Sequence, residues 1–322
     1  VTTYGRHAAA GERGQMTCLT ILKRDTEMSF EGVHTPLVTP FKADGEIDHN
    51  LLGKHAADLA GRVAGLGVGG TTGEYYALSF EERVKTFNTV AEAAGGKTYL
   101  TAGINATTTK EVIRLGQEAK RAGLPALLVA APYYAQPTQE ELLNHLLKVD
   151  DALDMPIMLY NFPARTGTEI SDGVLATLLE RPNFIAMKES TGDVSRLHHL
   201  ATHFSDRLVL SCGMDDQALE FFAWGAKSWV GGASNFLPEA HTALFDACVN
   251  KGDFQLGRKL MAQLLPVLEL LERSGKFIQY VRYGCELAGK PVGVARAPLG
   301  TLSDEERRAF AKLVEPLLGN AR

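Results

Sequence analysis

The stretch PIMLYNFPARTGTEISDGVLATLLERPNFIAMK, residues 156–188, holds two short apolar runs, Pro156–Tyr160 and Phe184–Lys188, separated by a helical pattern that opens on Ser171. Runs this short suit strands buried on both faces, and a serine heading an amphipathic segment is a helix cap, so the stretch reads strand, helix, strand. Two strands joined through a helix run parallel. The same unit repeats outward in both directions. Further apolar runs lie at Gly32–Thr39, Gly65–Gly69, Thr98–Gly103, Ala126–Ala130, Leu208–Ser211 and Lys227–Gly231, with further caps at Asp48, Ser79 with Glu82, Thr138 with Glu141, and Asp193. Eight strand and helix units within about 220 residues fit an α/β protein closed as a (β/α)8 TIM barrel; alternation alone leaves an open doubly wound sheet as the alternative.

Before the first unit, residues 1–28 are small, polar and aperiodic, which predicts a disordered extension with Met28 as a candidate natural start. The barrel is expected over residues 29–252. From Asp253 to residue 322 the pattern is helical, with a break near Pro291 to Pro298, and predicts a C-terminal helical appendage packed on the barrel.

Composition narrows the function classes. The chain has 322 residues, 45% of them hydrophobic, and 33 basic residues against 38 acidic give a formal charge of −5. No run of Lys or Arg offers a surface to nucleic acid or membrane, so a small-molecule partner is expected. Cys18, Cys212, Cys248 and Cys285 are scattered without disulfide or zinc spacing, which fits a reducing compartment. No apolar run is long enough to span a bilayer, and the expected location is the cytoplasm.

In a barrel of this kind chemistry gathers at the C-terminal ends of the strands. Lys188 ends the buried run Phe184-Ile185-Ala186-Met187. Burial disfavours the charged form of an amine, and a neutral amine can attack a ketone to form an iminium that stabilises a neighbouring carbanion. The plainer alternatives are a side chain that snorkels into solvent or pairs with Glu189. After the second strand, Gly70-Thr71-Thr72-Gly73-Glu74 offers backbone N–H groups and two hydroxyls that suit a carboxylate, or else a glycine-rich turn without chemical role. Tyr160 ends the fifth strand, where its phenol could relay a proton or simply be satisfied at the rim.

Two other patterns lead nowhere. Gly65, Gly67 and Gly70 match G-x-G-x-x-G, but inside a strand and without a helix start behind them, so no nucleotide site is expected. His199 and His203 have the spacing of a helical metal pair, yet they lie in the helix after the sixth strand with no evident third ligand, and no metal is expected.

Taken together, Gly70-Thr71-Thr72-Gly73-Glu74, Pro132-Tyr133-Tyr134, Tyr160-Asn161-Phe162-Pro163-Ala164-Arg165-Thr166-Gly167 and Lys188-Glu189-Ser190-Thr191-Gly192-Asp193 resemble the dihydrodipicolinate synthase and N-acetylneuraminate lyase family of class I aldolases. The likeness runs from about Phe30 to Leu318. It implies that Lys188 forms the imine with pyruvate, that Thr71, Thr72 and Gly73 hold the keto-acid carboxylate, and that Tyr160 is the general acid and base. It also implies a proton relay of Thr72, Tyr160 and Tyr134, the last lent by a neighbouring subunit, hence a homo-oligomer built as a dimer of dimers. No cofactor beyond the covalent imine is implied.

Arg165 bears on the second substrate, a small aldehyde or 2-keto acid. Its counterpart in the synthases binds the carboxylate of aspartate semialdehyde, and a guanidinium is a bidentate partner for such a group; the alternative is a structural arginine paired with a nearby acid. Tyr75 and Tyr76 depart from the smaller residues usual in the synthases. Phe80 and Arg83 stand where feedback-regulated forms often carry histidines, and Thr109 replaces a regulatory carboxylate, so lysine inhibition is not expected. The leading expectation is a lyase that condenses pyruvate with aspartate semialdehyde. The alternatives are a catabolic aldolase or dehydratase of 2-keto-3-deoxy sugar acids or 4-hydroxy-2-oxoglutarate and, from a different class, a non-catalytic keto-acid-binding barrel.

Overall fold

Side chains alternate across a strand, and in a closed sheet that alternation decides which residues enter the barrel. The computed structural model describes residues 29–319. Its strands are β1 (Gly32–Pro36), β2 (Gly65–Val68), β3 (Tyr99–Gly103), β4 (Ala126–Ala130), β5 (Ile157–Asn161), β6 (Phe184–Glu189), β7 (Val209–Cys212) and β8 (Ser228–Val230). They pair in sequence order, all parallel, and β1 joins β8 to close the ring. The open-sheet alternative is thereby excluded. β1 ends at Pro36 rather than Thr39, since a proline has no N–H to continue the ladder, although Leu37 still donates to Gly67 O at 2.8 Å.

The predicted caps form. Ser79 and Thr138 each close a capping box with Glu82 and Glu141, while Asp48, Ser171 and Asp193 accept single backbone N–H bonds. Leu127, Val129, Ile157, Leu159 and Met187 face outward into the layer between strands and helices. Ala126, Leu128, Ala130, Met158, Tyr160 and Ala186 face inward. Lys188 lies two residues beyond Ala186, so the same alternation sends it inward at the C-terminal end of β6. Many inward side chains are small, and they leave a cavity there instead of a fully packed core.

After the barrel come the helices Phe254–Arg273, Phe277–Leu287 and Asp304–Gly319, with the predicted break as irregular chain between the last two. The expected extension over residues 1–28, with Met28 and Cys18, lies outside the described residues. Among the described residues, Cys212, Cys248 and Cys285 are free and buried, and no helix is long and apolar enough to cross a membrane.

Gly65, one of the glycines of the false nucleotide motif, has a packing reason: a Cβ there would meet His34 Nδ1 at 2.1 Å. His34 and His241 are both buried, and burial pushes each imidazole down to about 4 from 6.5, against backbone carbonyl acceptors that pull the other way. His241 stacks on Trp229, with ring centroids 4.2 Å apart. Such a histidine is neutral in the fold, whereas below 6.5 the unfolded chain takes up the proton. Its contribution to stability is therefore present above that pH and is lost as pH falls toward about 4. His241→Phe, which keeps the stacked ring, is expected to lose on the order of 2 kcal/mol less stability than the parent between about pH 7 and about pH 5. Denaturant titrations at the two pH values check this; parallel losses in both proteins would remove His241 as the cause.

Candidate active site

Cross-strand register sets the first contacts. Tyr160 on β5 pairs with Lys188 on β6, which pairs with Ser211 on β7. Side chains at paired positions share a face, so the phenol and the amine both enter the barrel. Lys188 is 8% exposed, and its Nζ sits 4.4 Å from the centroid of the Tyr160 ring. Neither plain alternative for this lysine fits. The side chain does not reach solvent, and Glu189 points to the other face of β6, where it accepts from Asn161 Nδ2 at 2.9 Å and Thr191 N at 2.7 Å. Among the described residues Lys188 makes no ion pair. Room for it comes from Gly213 just after β7, where a Cβ would lie 2.8 Å from Lys188 Cε and 2.0 Å from Ser190 Oγ.

Lys188 opens into a cavity of about 330 Å³ at the C-terminal end of the barrel, lined also by Thr71, Thr72, Tyr160, Arg165 and Ser190. The turn after β2 divides into two parts. The amides of Gly73, Glu74 and Tyr75 bond back within it, to Gly70 O, Thr71 O and Gly70 O. Those of Thr71 and Thr72 make no intrachain hydrogen bond among the described residues, so two N–H donors and two hydroxyls remain for an anion. Gly73, expected to help bind the substrate, is not among the residues that line the cavity. Its amide is used within the turn, its carbonyl accepts from Thr39 Oγ1 at 2.7 Å, and an added Cβ would lie 3.0 Å from Leu37 O.

Glu74 anchors the same turn. Fully buried and with a left-handed φ of 56°, it accepts from Arg282 Nε at 2.9 Å and from the Arg296 amide at 3.0 Å. Arg282 also donates to Thr39 O and Val292 O. The carboxylate that ends the sequence motif thus ties the turn to the C-terminal helices and takes no part in the cavity.

Arg165 sits on the short helix Pro163–Thr166 after β5, its guanidinium 5.3 Å from the Phe162 ring centroid. Among the described residues it makes no ion pair, so the paired structural arginine is not what the fold contains. Tyr134 is 94% exposed, with a φ of 69°, and does not line the cavity of its own chain. Tyr75 packs against Tyr133 at 6.0 Å between centroids, and burial pushes its hydroxyl well above the usual range. Arg83 lies over the Tyr75 ring and donates to Gly103 O and Asn105 O, both at 2.8 Å. His199 pairs with Asp172 at 2.6 Å and stacks on His203; among the described residues no group of side chains is set to hold a metal ion.

Sequence reasoning missed the far wall of the cavity. Asp215, beyond β7, and Glu272, on the helix Phe254–Arg273, both line it. Asp215 accepts from Trp229 Nε1 at 3.0 Å and Gly232 N at 2.8 Å, while its own amide donates to Glu272 Oε1 at 3.0 Å. Burial raises the proton affinity of both carboxyls, and Asp215 raises that of Glu272 further. The signal for Asp215 was its place just after a strand end; for Glu272, inside an amphipathic helix, there was none.

With this geometry, an inward lysine over a tyrosine ring beside a threonine turn, the chain matches the Dihydrodipicolinate synthetase family over residues 29–317. The chain belongs to the dihydrodipicolinate synthetase family. As a family member it is an aldolase-type lyase. A 4-hydroxy-tetrahydrodipicolinate synthase of Exiguobacterium sibiricum is 37% identical over 271 residues, 84% of this chain and 92% of that protein. The crystal structure of dihydrodipicolinate synthase from Aquifex aeolicus superposes with a TM-score of 0.85 at 31% identity, covering 89% of this chain and 98% of that one. Another family structure, a chloride-inhibited dihydrodipicolinate synthase from Acinetobacter baumannii complexed with pyruvate, matches with a TM-score of 0.84 at 28% identity, over 90% of this chain and 99% of its own.

Proposed function

We propose that this synthetase-family lyase condenses pyruvate with aspartate semialdehyde through an imine on Lys188. The observation that carries this reading is the inward amine of Lys188, free of any ion pair among the described residues and seated over Tyr160. The amine attacks the ketone carbon, water leaves, and the iminium withdraws electrons so that a methyl proton can depart. The resulting enamine attacks the aldehyde, and imine hydrolysis frees the enzyme. Thr71 and Thr72 hold the pyruvate carboxylate, and Tyr160 moves the protons. Arg165 takes the carboxylate of the second substrate as a bidentate partner.

In the same reading Tyr134 leaves its own chain to complete the relay of a neighbouring subunit, so the working form is a homo-oligomer, a dimer of dimers. Residues 29–252 make the catalytic barrel, and the helices that follow from residue 253, described to residue 319, finish its mouth. The enzyme works in the cytoplasm and needs no cofactor beyond the imine. Similarity to synthases across most of the chain supports the choice of substrate. Kinetics of the parent and Arg165→Ala with both substrates test it. We expect the variant to raise KM for aspartate semialdehyde by roughly 10- to 100-fold while KM for pyruvate changes little. A parent that consumes no semialdehyde, or an Arg165→Ala that handles it equally well, defeats the assignment.

A further inference from the structure

We propose that Glu272 is a specificity-determining residue, selecting a second substrate that presents a hydrogen-bond donor, a hydroxyl or an ammonium, to the β7 side of the cavity. The inference rests on the imine reading of Lys188 and adds to it a recognition element carried by the C-terminal helices.

The cavity is polarised across its width. Arg165 follows β5, Lys188 ends β6 and Asp215 follows β7, so the amine stands between a cationic side and an acidic side. On the acidic side Glu272 has one oxygen, Oε1, bonded to the Asp215 amide. The remaining oxygen has no hydrogen bond among the described residues. Neither Glu272 nor Asp215 makes an ion pair there, and the charge of Lys188 nearby offsets their raised proton affinity only in part. A second group faces the same space unsatisfied: Ser190, 1% exposed and lining the cavity, has an Oγ without a partner.

Buried polar groups without partners are costly, and a ligand that completes them gains what they lack. An apolar aldehyde would leave Ser190 Oγ without a partner and offer nothing to the free oxygen of Glu272. A hydroxyl or ammonium donates to the free carboxyl oxygen. Burial beside Asp215 favours the protonated form of Glu272, which could also donate back to a hydroxyl. The fitting second substrate therefore has two ends, a carboxylate toward Arg165 and a donor toward Glu272.

Two pairs of aldehydes, each condensed with pyruvate, test this. Aspartate semialdehyde and succinic semialdehyde differ by an amino group; glyceraldehyde and propionaldehyde differ by hydroxyls. In the parent we expect kcat/KM to favour the donor-bearing member of at least one pair by roughly 100-fold or more, and the pair that shows it identifies the donor. Glu272→Leu is expected to bring that ratio to within about threefold. Glu272→Gln keeps an acceptor for the Asp215 amide and separates the donors. It lowers the ratio for an ammonium by about tenfold and preserves it for a hydroxyl. A parent that does not discriminate, or a discrimination untouched in Glu272→Leu, overturns the proposal. Borohydride trapping of the pyruvate imine on the parent separates the two readings. A missing adduct defeats the imine, whereas an adduct accompanied by unchanged discrimination defeats only the role of Glu272.

Discussion

Lys188→Ala is expected to lower turnover by more than about 10⁴-fold and to abolish the mass increase that borohydride produces with pyruvate. The size of the effect follows from the site. Among the described residues, Lys188 is the only amine that lines the cavity, and no neighbouring lysine is placed to take over the covalent step. In the proposed mechanism its removal deletes a bond-forming partner, not one of several hydrogen bonds, so the remaining contacts proposed for the carboxylate do not compensate. Intact-protein mass spectrometry after reduction reads the result directly. An adduct of undiminished yield on the alanine variant would place the chemistry on another residue and remove the basis of the mechanism.

Tyr160→Phe is expected to slow kcat by roughly 10²- to 10⁴-fold while the pyruvate adduct still forms. The structure isolates the hydroxyl as the lost element. The ring itself is fixed by its place on β5, by Phe162 at 5.9 Å and by Lys188 above it, and a phenyl ring keeps all three contacts. What disappears is the hydroxyl that the proposed mechanism uses to carry the proton. Steady-state rates and adduct yields, measured on the same preparations, check the split. Equal turnover of variant and parent would take Tyr160 out of proton transfer.

Both predictions concern residues that were legible before any fold was known. Each ends a short apolar run, and the barrel rule directs attention to strand ends. The alternation that made Pro156–Tyr160 and Phe184–Lys188 strands also carries the side chains inward, because period two is a local property of an extended chain. The caps at Ser79, Thr138 and Ser171 were equally readable, since a cap involves residues within one turn of each other. Gly73 and Glu74 were only half legible. Their motif marked the turn, but which of its amides face a ligand depends on the hydrogen bonds the turn makes with itself.

Sequence alone thus determined the order and kind of the elements, their local starts and the lysine and tyrosine near the ends of two of the strands, because these follow from spacing along the chain. Tertiary structure decided the closure of β1 on β8, the burial of Glu74 against Arg282, 208 positions away, and the arrival of Glu272 at the barrel mouth. These depend on which distant surfaces pack together. A carboxylate on an amphipathic helix looks like any solvated charge until the fold turns that face toward a cavity.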